Sequence, residues 1–150
     1  MLRNVANLVP PYAPDSRSHG TSAALEFAVK GLAVEHIIVL GHAACGGIRA
    51  LLNEAEAGAI GQDFIASWMS IAEQARAAVN AHSHDSEEAR QRFGELENIK
   101  VSLENLKTFP WIAERAAGGK LSIHGWYFDI YSGHLMEHDP ATGAFHNVET

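Results

Sequence analysis

His42 and Cys45 are the residues whose types and spacing point most directly to chemistry. They stand three apart in VLGHAACGGI, residues 39–48, and Cys45 is the only cysteine among 150 residues. A soft thiolate and an imidazole at that spacing can close on one zinc ion, at about 2.3 Å from sulfur and about 2.0–2.1 Å from nitrogen. Two donors do not complete a site. There is no second cysteine, and the other histidines fall in loops, helices and terminal strands without metal-like spacing. Two further readings stand beside the metal. Cys45 can be a small buried apolar residue, or a nucleophile activated by a helix N-terminus and His42, although no orienting third group is evident. GHAACGG matches neither the G-x-G-x-x-G nor the P-loop pattern, so phosphate binding is not expected.

The elements that must position this pair follow from periodicity. HIIVL, residues 36–40, is a short β-branched run of the kind buried inside a parallel sheet. Before it, Leu25, Ala28, Val29 and Leu32 lie at helical spacing, with Thr21 or Ser22 as N-cap. After Gly46 and Gly47, the stretch IRALLNEAEAG places Ile48, Leu51, Leu52 and Ala55 on one helical face. His42 and Cys45 therefore fall at a strand-to-helix junction, where ligands collect in open α/β sheets and where the helix terminus favours a thiolate.

PPYAPDSRSHG, residues 10–20, is expected as a surface loop because its prolines and glycine forbid regular structure. Phe64, Ile65, Trp68, Ile71, Ala72, Ala75 and Val79 form one helical stripe, and Phe93, Leu96, Ile99, Leu103 and Leu106 another. The polar AHSHDSEEARQ between them carries Asp85 and Glu88 at capping-box spacing, and its His82 and His84 read as solvated surface. FPWIAERAAGG gives a short helix closed by Gly118 and Gly119. LSIHGWYFDI and HLMEHD then read as two strands joined by a tight turn at Ser132-Gly133. Trp68, Trp111 and Trp126 fit packing roles, His124 the core or a sheet edge, and Asp129 and Glu137 surface or turn positions. Helices interleaved with buried strands make the fold class α/β, in a single domain over residues 1–150.

Composition narrows the partners. Eleven Lys and Arg against eighteen Asp and Glu give a net charge of −7, with no basic cluster, so nucleic acid is not expected as a partner. No apolar run approaches the about 20 residues that span a bilayer, and the N-terminus lacks the pattern of a signal peptide, so no membrane association is expected. One cysteine cannot form an internal bridge, which suits the cytoplasm or another reducing compartment.

Taken together, RNVANLVPP (3–11), SAALEFAV (22–29), EHIIVLGHAACGGI (35–48), VSLENLKTFPWI (101–112) and LSIHGWYFDIYSGHL (121–135) closely resemble the beta-class carbonic anhydrases. G-H-x-x-C-G-G after a buried strand is the centre of that resemblance, and the flanking blocks keep the family's order. The resemblance implies zinc as cofactor, with His42 and Cys45 as two of its ligands. It implies reversible hydration of carbon dioxide to bicarbonate and a proton, and a homodimer or higher oligomer in the full-length form. Val5 then matches an apolar residue of the carbon dioxide pocket, Phe27 stands where many plant-type members have tyrosine, and Gly46 offers a backbone N–H to the substrate pocket.

The family's second cysteine and its catalytic aspartate and arginine belong to a C-x-D-x-R motif on a strand upstream of R-N-V-A-N. This sequence contains no such motif. By resemblance the chain is a beta-carbonic-anhydrase-like, mostly parallel sheet flanked by helices, incomplete at the N-terminus, with the central strand missing and a sheet edge left open. Two expectations follow: a carbonic anhydrase whose isolated 150 residues neither hold stoichiometric zinc nor turn over, or, as the alternative, a non-catalytic remnant that acts as an association module.

Overall fold

A computed structural model of the chain describes residues 1–53 and 63–148. Its order is α1 (Gly20–Glu26), β1 (His36–His42), α2 (Gly46–Leu52), α3 (Ile65–Met69), α4 (Glu73–Asn80), α5 (Glu87–Lys107), α6 (Pro110–Ala117), β2 (Ser122–Phe128), β3 (Leu135–His138) and β4 (Phe145–Asn147). The four strands form one sheet in the order β1-β2-β3-β4. β1 and β2 are parallel, in the register His36↔Ser122 to His42↔Phe128, whereas β3 and β4 join antiparallel. The parallel character expected from the sequence is thus confined to the β1–β2 pair. None of the described helices is long and apolar enough to cross a membrane.

α5 lies across one face of the sheet and organises it. Ile99 and Leu106 on this helix are fully buried, in one cluster with Val39, Tyr127 and Leu121 of the sheet side. Gly41 and Gly125 permit the approach, since a Cβ at Gly125 would lie 2.8 Å from Leu103 Cδ1 and 2.9 Å from Ile99 Cγ2. The same helix holds the N-terminal segment by side chains instead of a ladder. Asn98 Nδ2 donates to the Ala6 carbonyl at 2.6 Å, Ser102 Oγ to the Asn7 carbonyl at 3.0 Å, and Asn105 Nδ2 to the Val9 carbonyl at 2.8 Å. Ala6 and Asn7 take positive φ values of 61° and 48° within that segment, a conformation L-residues keep only where neighbours enforce it.

Several local expectations are corrected. α1 begins at Gly20 after His19, so Thr21 and Ser22 lie inside its first turn instead of capping it. Its continuation, Phe27–Gly31, winds as a π-helix and leaves Leu32 exposed. The stripe from Phe64 to Val79 is not one helix: a 3-10 turn at Ser70–Ala72 separates α3 from α4, and Phe64 is exposed at the cap. α5 is capped one residue later than its sequence suggests, by Ser86 Oγ accepting from the Ala89 N–H at 3.1 Å. Ala55 lies outside the described residues.

The largest difference concerns β1. HIIVL reads as a strand covered on both faces, yet Ile38 is 45% and Leu40 52% exposed, because among the described residues their face carries no covering element; β1 is there the open sheet edge that the resemblance implied. An open edge presents unpaired backbone groups and, here, two bare aliphatic side chains.

Candidate metal centre

β1 ends at His42, and the chain turns through Ala43 and Ala44 to Cys45, the N-cap of α2. The Ala43 N–H donates to the Phe128 carbonyl at 3.0 Å, carrying the β1–β2 ladder one residue past the strand. Ala44 then adopts φ 57°, the left-handed conformation that reverses the chain tightly and that non-glycine residues enter at a cost of about 1–2 kcal/mol. That single reversal lets a strand and a helix meet with only two alanines between the histidine and the cysteine.

The His42 ring is oriented by its own turn. Nδ1 lies 2.9 Å from the Ala43 carbonyl; a carbonyl can only accept, so Nδ1 is the donor, and the neutral ring with that tautomer has its lone pair on Nε2. This is the arrangement in which histidines bind metals, with the second nitrogen tied to a carbonyl. Cys45 is 4% exposed and free of any disulfide. It belongs to a cluster with Ala6, Leu8, Ile48 and Leu52, so packing accounts for its burial without accounting for its backbone contacts.

Those contacts involve residues that sequence reasoning missed. The Cys45 N–H donates to Glu95 Oε1 at 2.8 Å, and the Cys45 carbonyl accepts from Gln91 Nε2 at 3.4 Å. Glu95, 3% exposed on α5, also accepts from Gln91 Nε2 at 2.9 Å and, through Oε2, from the Tyr127 hydroxyl at 2.9 Å. Burial, followed by the Glu95 hydrogen bond, holds the Tyr127 phenol well above its ordinary range, so it remains a donor at neutral pH. The Arg92 guanidinium lies over that ring, 5.3 Å from its centroid. The one available sequence signal is register: Glu95, Asn98 and Ser102 fall at i, i+3 and i+7 on the buried face of α5.

Of the remaining predicted residues, Val5 comes to the start of α2. A Cβ at Gly47 would lie 2.9 Å from Val5 Cγ1, and the Val5 carbonyl accepts from Trp68 Nε1 at 2.9 Å. Gly46 has open space where a side chain would project. Phe27 stands apart, with its ring over Gly31 of its own turn and 66% exposed. His82 and His84 cap the end of α4, bonding the Ala78 and Val79 carbonyls at 2.8 and 3.0 Å. His124 sits on the open sheet face, between Glu137 at 2.8 Å and His36 at 3.2 Å. Asp129 ties down the β2–β3 turn through the Tyr131 N–H at 2.9 Å.

A thiolate and an imidazole with a free Nε2 fit two corners of a tetrahedral zinc shell. They do not fill it: among the described residues, no group of three or more His, Cys, Asp or Glu side chains could hold a metal ion.

The comparisons with known proteins agree with this fold. Residues 1–135 match the family described as Carbonic anhydrase. The Carbonic anhydrase of Pseudomonas aeruginosa is 39% identical over 145 residues, which are 97% of this chain and 64% of that protein. Beta carbonic anhydrase 5, chloroplastic, of Arabidopsis thaliana is 41% identical over 86% of this chain and 42% of its own length. Among solved structures, the beta-carbonic anhydrase CcaA superposes with a TM-score of 0.89 at 32% identity, covering 99% of this chain and 66% of that one. A tetrameric beta-carbonic anhydrase of Sordaria macrospora gives 0.74 at 30% identity, covering 91% and 66%. The chain thus spans less than two thirds of the length of these relatives, and within that span it belongs to the beta-carbonic anhydrase family.

Proposed function

We propose that His42 and Cys45 are two protein ligands of a zinc site that, when complete, hydrates carbon dioxide reversibly to bicarbonate and a proton. The observation that carries this reading is the turn itself: the Nδ1 bond to Ala43 leaves His42 Nε2 available, and the chain's only cysteine, Cys45, follows three residues on. Bound zinc would supply the Lewis acidity that makes water a nucleophile near neutral pH. The chain's own residues do the rest. The Ala43 carbonyl holds the imidazole in its ligating tautomer. Cys45 must give up its thiol proton to bind. Val5, packed against Gly47, offers an apolar wall toward carbon dioxide.

The remaining ligands come from outside the pair, and the family's C-x-D-x-R segment is their natural source. Stopped-flow hydration of carbon dioxide tests this in two proteins, the 150-residue chain and the same chain joined to that segment from a beta-class relative. The reading expects zinc-dependent turnover in the joined protein only. Turnover in neither rejects it.

A second reading, a non-catalytic association module, is favoured by one observation: the open face of β1 with Ile38 and Leu40 bare. Zinc content per chain, measured on the protein joined to the C-x-D-x-R segment, separates the two, since an association module holds none. A single free cysteine suits a reducing cytoplasmic setting for either.

A further inference from the structure

We propose that Glu95 is the positioning residue of the His42–Cys45 turn, holding the Ala44–Cys45 peptide and with it the place of Cys45 relative to His42. The proposal rests on the zinc reading above for its purpose but not for its test. Its ground is a coincidence of three features. Ala44 is held at φ 57°, and the peptide immediately after it is the one whose N–H meets Glu95. A residue in that conformation relaxes unless its surroundings over-determine it. The Cys45 side chain caps none of the first N–H groups of α2, and the acceptor for the Cys45 N–H comes from α5, fifty residues along the chain.

The carboxylate is itself fixed on both oxygens. Oε1 takes the Cys45 N–H and Gln91 Nε2, and Oε2 takes the Tyr127 hydroxyl. Gln91 also donates to the Cys45 carbonyl, so the residue is gripped at both ends of its backbone. Three donors meet the two oxygens of a side chain that is 3% exposed, so a buried polar group is satisfied there. A Glu that merely tied α5 to the sheet needs the Tyr127 bond alone. The bond to Cys45 adds nothing to helix–sheet packing and acts only on the turn.

The test uses the 150-residue chain without metal and reads two properties of Cys45: its amide exchange rate and its rate of alkylation by iodoacetamide. Four variants are compared at matched stability, set by temperature. Glu95→Ala removes the acceptor, and Glu95→Asp keeps the charge but withdraws the carboxylate by one methylene. Glu95→Gln leaves an amide oxygen for the Cys45 N–H, and Tyr127→Phe removes a donor on the side away from Cys45. We expect Glu95→Ala and Glu95→Asp to raise both rates by about tenfold or more, through local opening of the turn. Glu95→Gln and Tyr127→Phe should stay within about threefold of the parent chain. In the protein joined to the C-x-D-x-R segment, the first two variants should also lose about 10–100-fold in cobalt affinity, read by the thiolate-to-cobalt charge-transfer band. Unchanged Cys45 rates in Glu95→Asp, or an equal rise in Tyr127→Phe, would overturn the proposal. Failure of the joined parent protein to bind cobalt would instead overturn the zinc reading and leave the Cys45 rates to decide this one.

Discussion

Replacing Gly41 by alanine probes the closest approach in the fold, immediately before the candidate ligand His42. A Cβ there would lie 2.7 Å from Ile99 Cδ1, 2.9 Å from Ile99 Cγ1 and 3.1 Å from Asn7 Nδ2. Ile99 is fully buried and cannot swing aside into solvent. Overpacking by one methyl costs about 1–3 kcal/mol, and alanine recovers about 0.5–1 kcal/mol over glycine inside a strand. The expected net loss is about 1–2 kcal/mol. Ile99→Val deletes the nearest atom and costs about 0.5–1.5 kcal/mol alone. If the contact is the cause, the double variant is less destabilised than the sum by at least about 0.5 kcal/mol. Relief stays partial because Cγ1 and Asn7 remain. Urea unfolding of the four chains, followed by far-UV circular dichroism, measures the cycle. Strict additivity, or an unperturbed Gly41→Ala, refutes the proximity of α5 to β1.

Two further outcomes follow from particular side chains. Asn98→Ala frees the Ala6 carbonyl and the strained segment behind it, and should lower stability by about 1–2 kcal/mol in urea unfolding at unchanged m-value. Below neutrality the chain should lose stability in two stages. Burial lowers the His138 pKa below its ordinary value of 6.5, so its neutral form is favoured in the fold and its stabilisation is lost as pH falls from about 6.5 through the lowered value. The Tyr131 N–H lowers the pKa of Asp129, and the Ala141 N–H and Thr142 hydroxyl lower that of Asp139. Both carboxylates stabilise the fold above about pH 4, and that contribution disappears as pH falls through their lowered values. Thermal midpoints against pH should flatten near pH 6 in His138→Gln and below about pH 4 in the Asp129→Asn, Asp139→Asn pair; steeper acid loss in these variants contradicts the assignment.

The elements around the site were legible where the sequence signal was local. HIIVL and the PWIAERAAGG helix carry their own propensities, and each appears at its expected place; Ser132 and Gly133 lie in the connection expected between β2 and β3, but it runs from Asp129 to His134 instead of a tight two-residue turn. β4 escaped notice because Phe145–Asn147 is only three residues long. Its signal was a repetition: DIYSG (129–133) and DPATG (139–143) build the same turn. In each, the first Asp accepts from the N–H two residues on, and the last Gly has φ 74° or 72°. The break between α3 and α4 was hidden because Ile71, Ala72 and Ala75 keep helical spacing across a 3-10 turn. Burial of β1 was misjudged because a β-branched run states that a strand wants covering, not whether the chain supplies the cover.

At the site, His42 and Cys45 could be singled out by type and spacing, whereas Glu95 could not. A glutamate in a charged helix has the appearance of a solvated face, and its partners lie fifty residues back at Cys45 and thirty-two ahead at Tyr127. Tertiary contacts of that separation leave no local pattern beyond their place on the buried stripe.

Zinc retained per chain after gel filtration tests the central claim most directly, measured on the chain joined to a C-x-D-x-R segment, with and without Cys45→Ser. Zinc binding needs a deprotonated sulfur in fixed geometry. The account predicts one zinc per parent chain and little in Cys45→Ser, whereas one zinc per chain in both would contradict it.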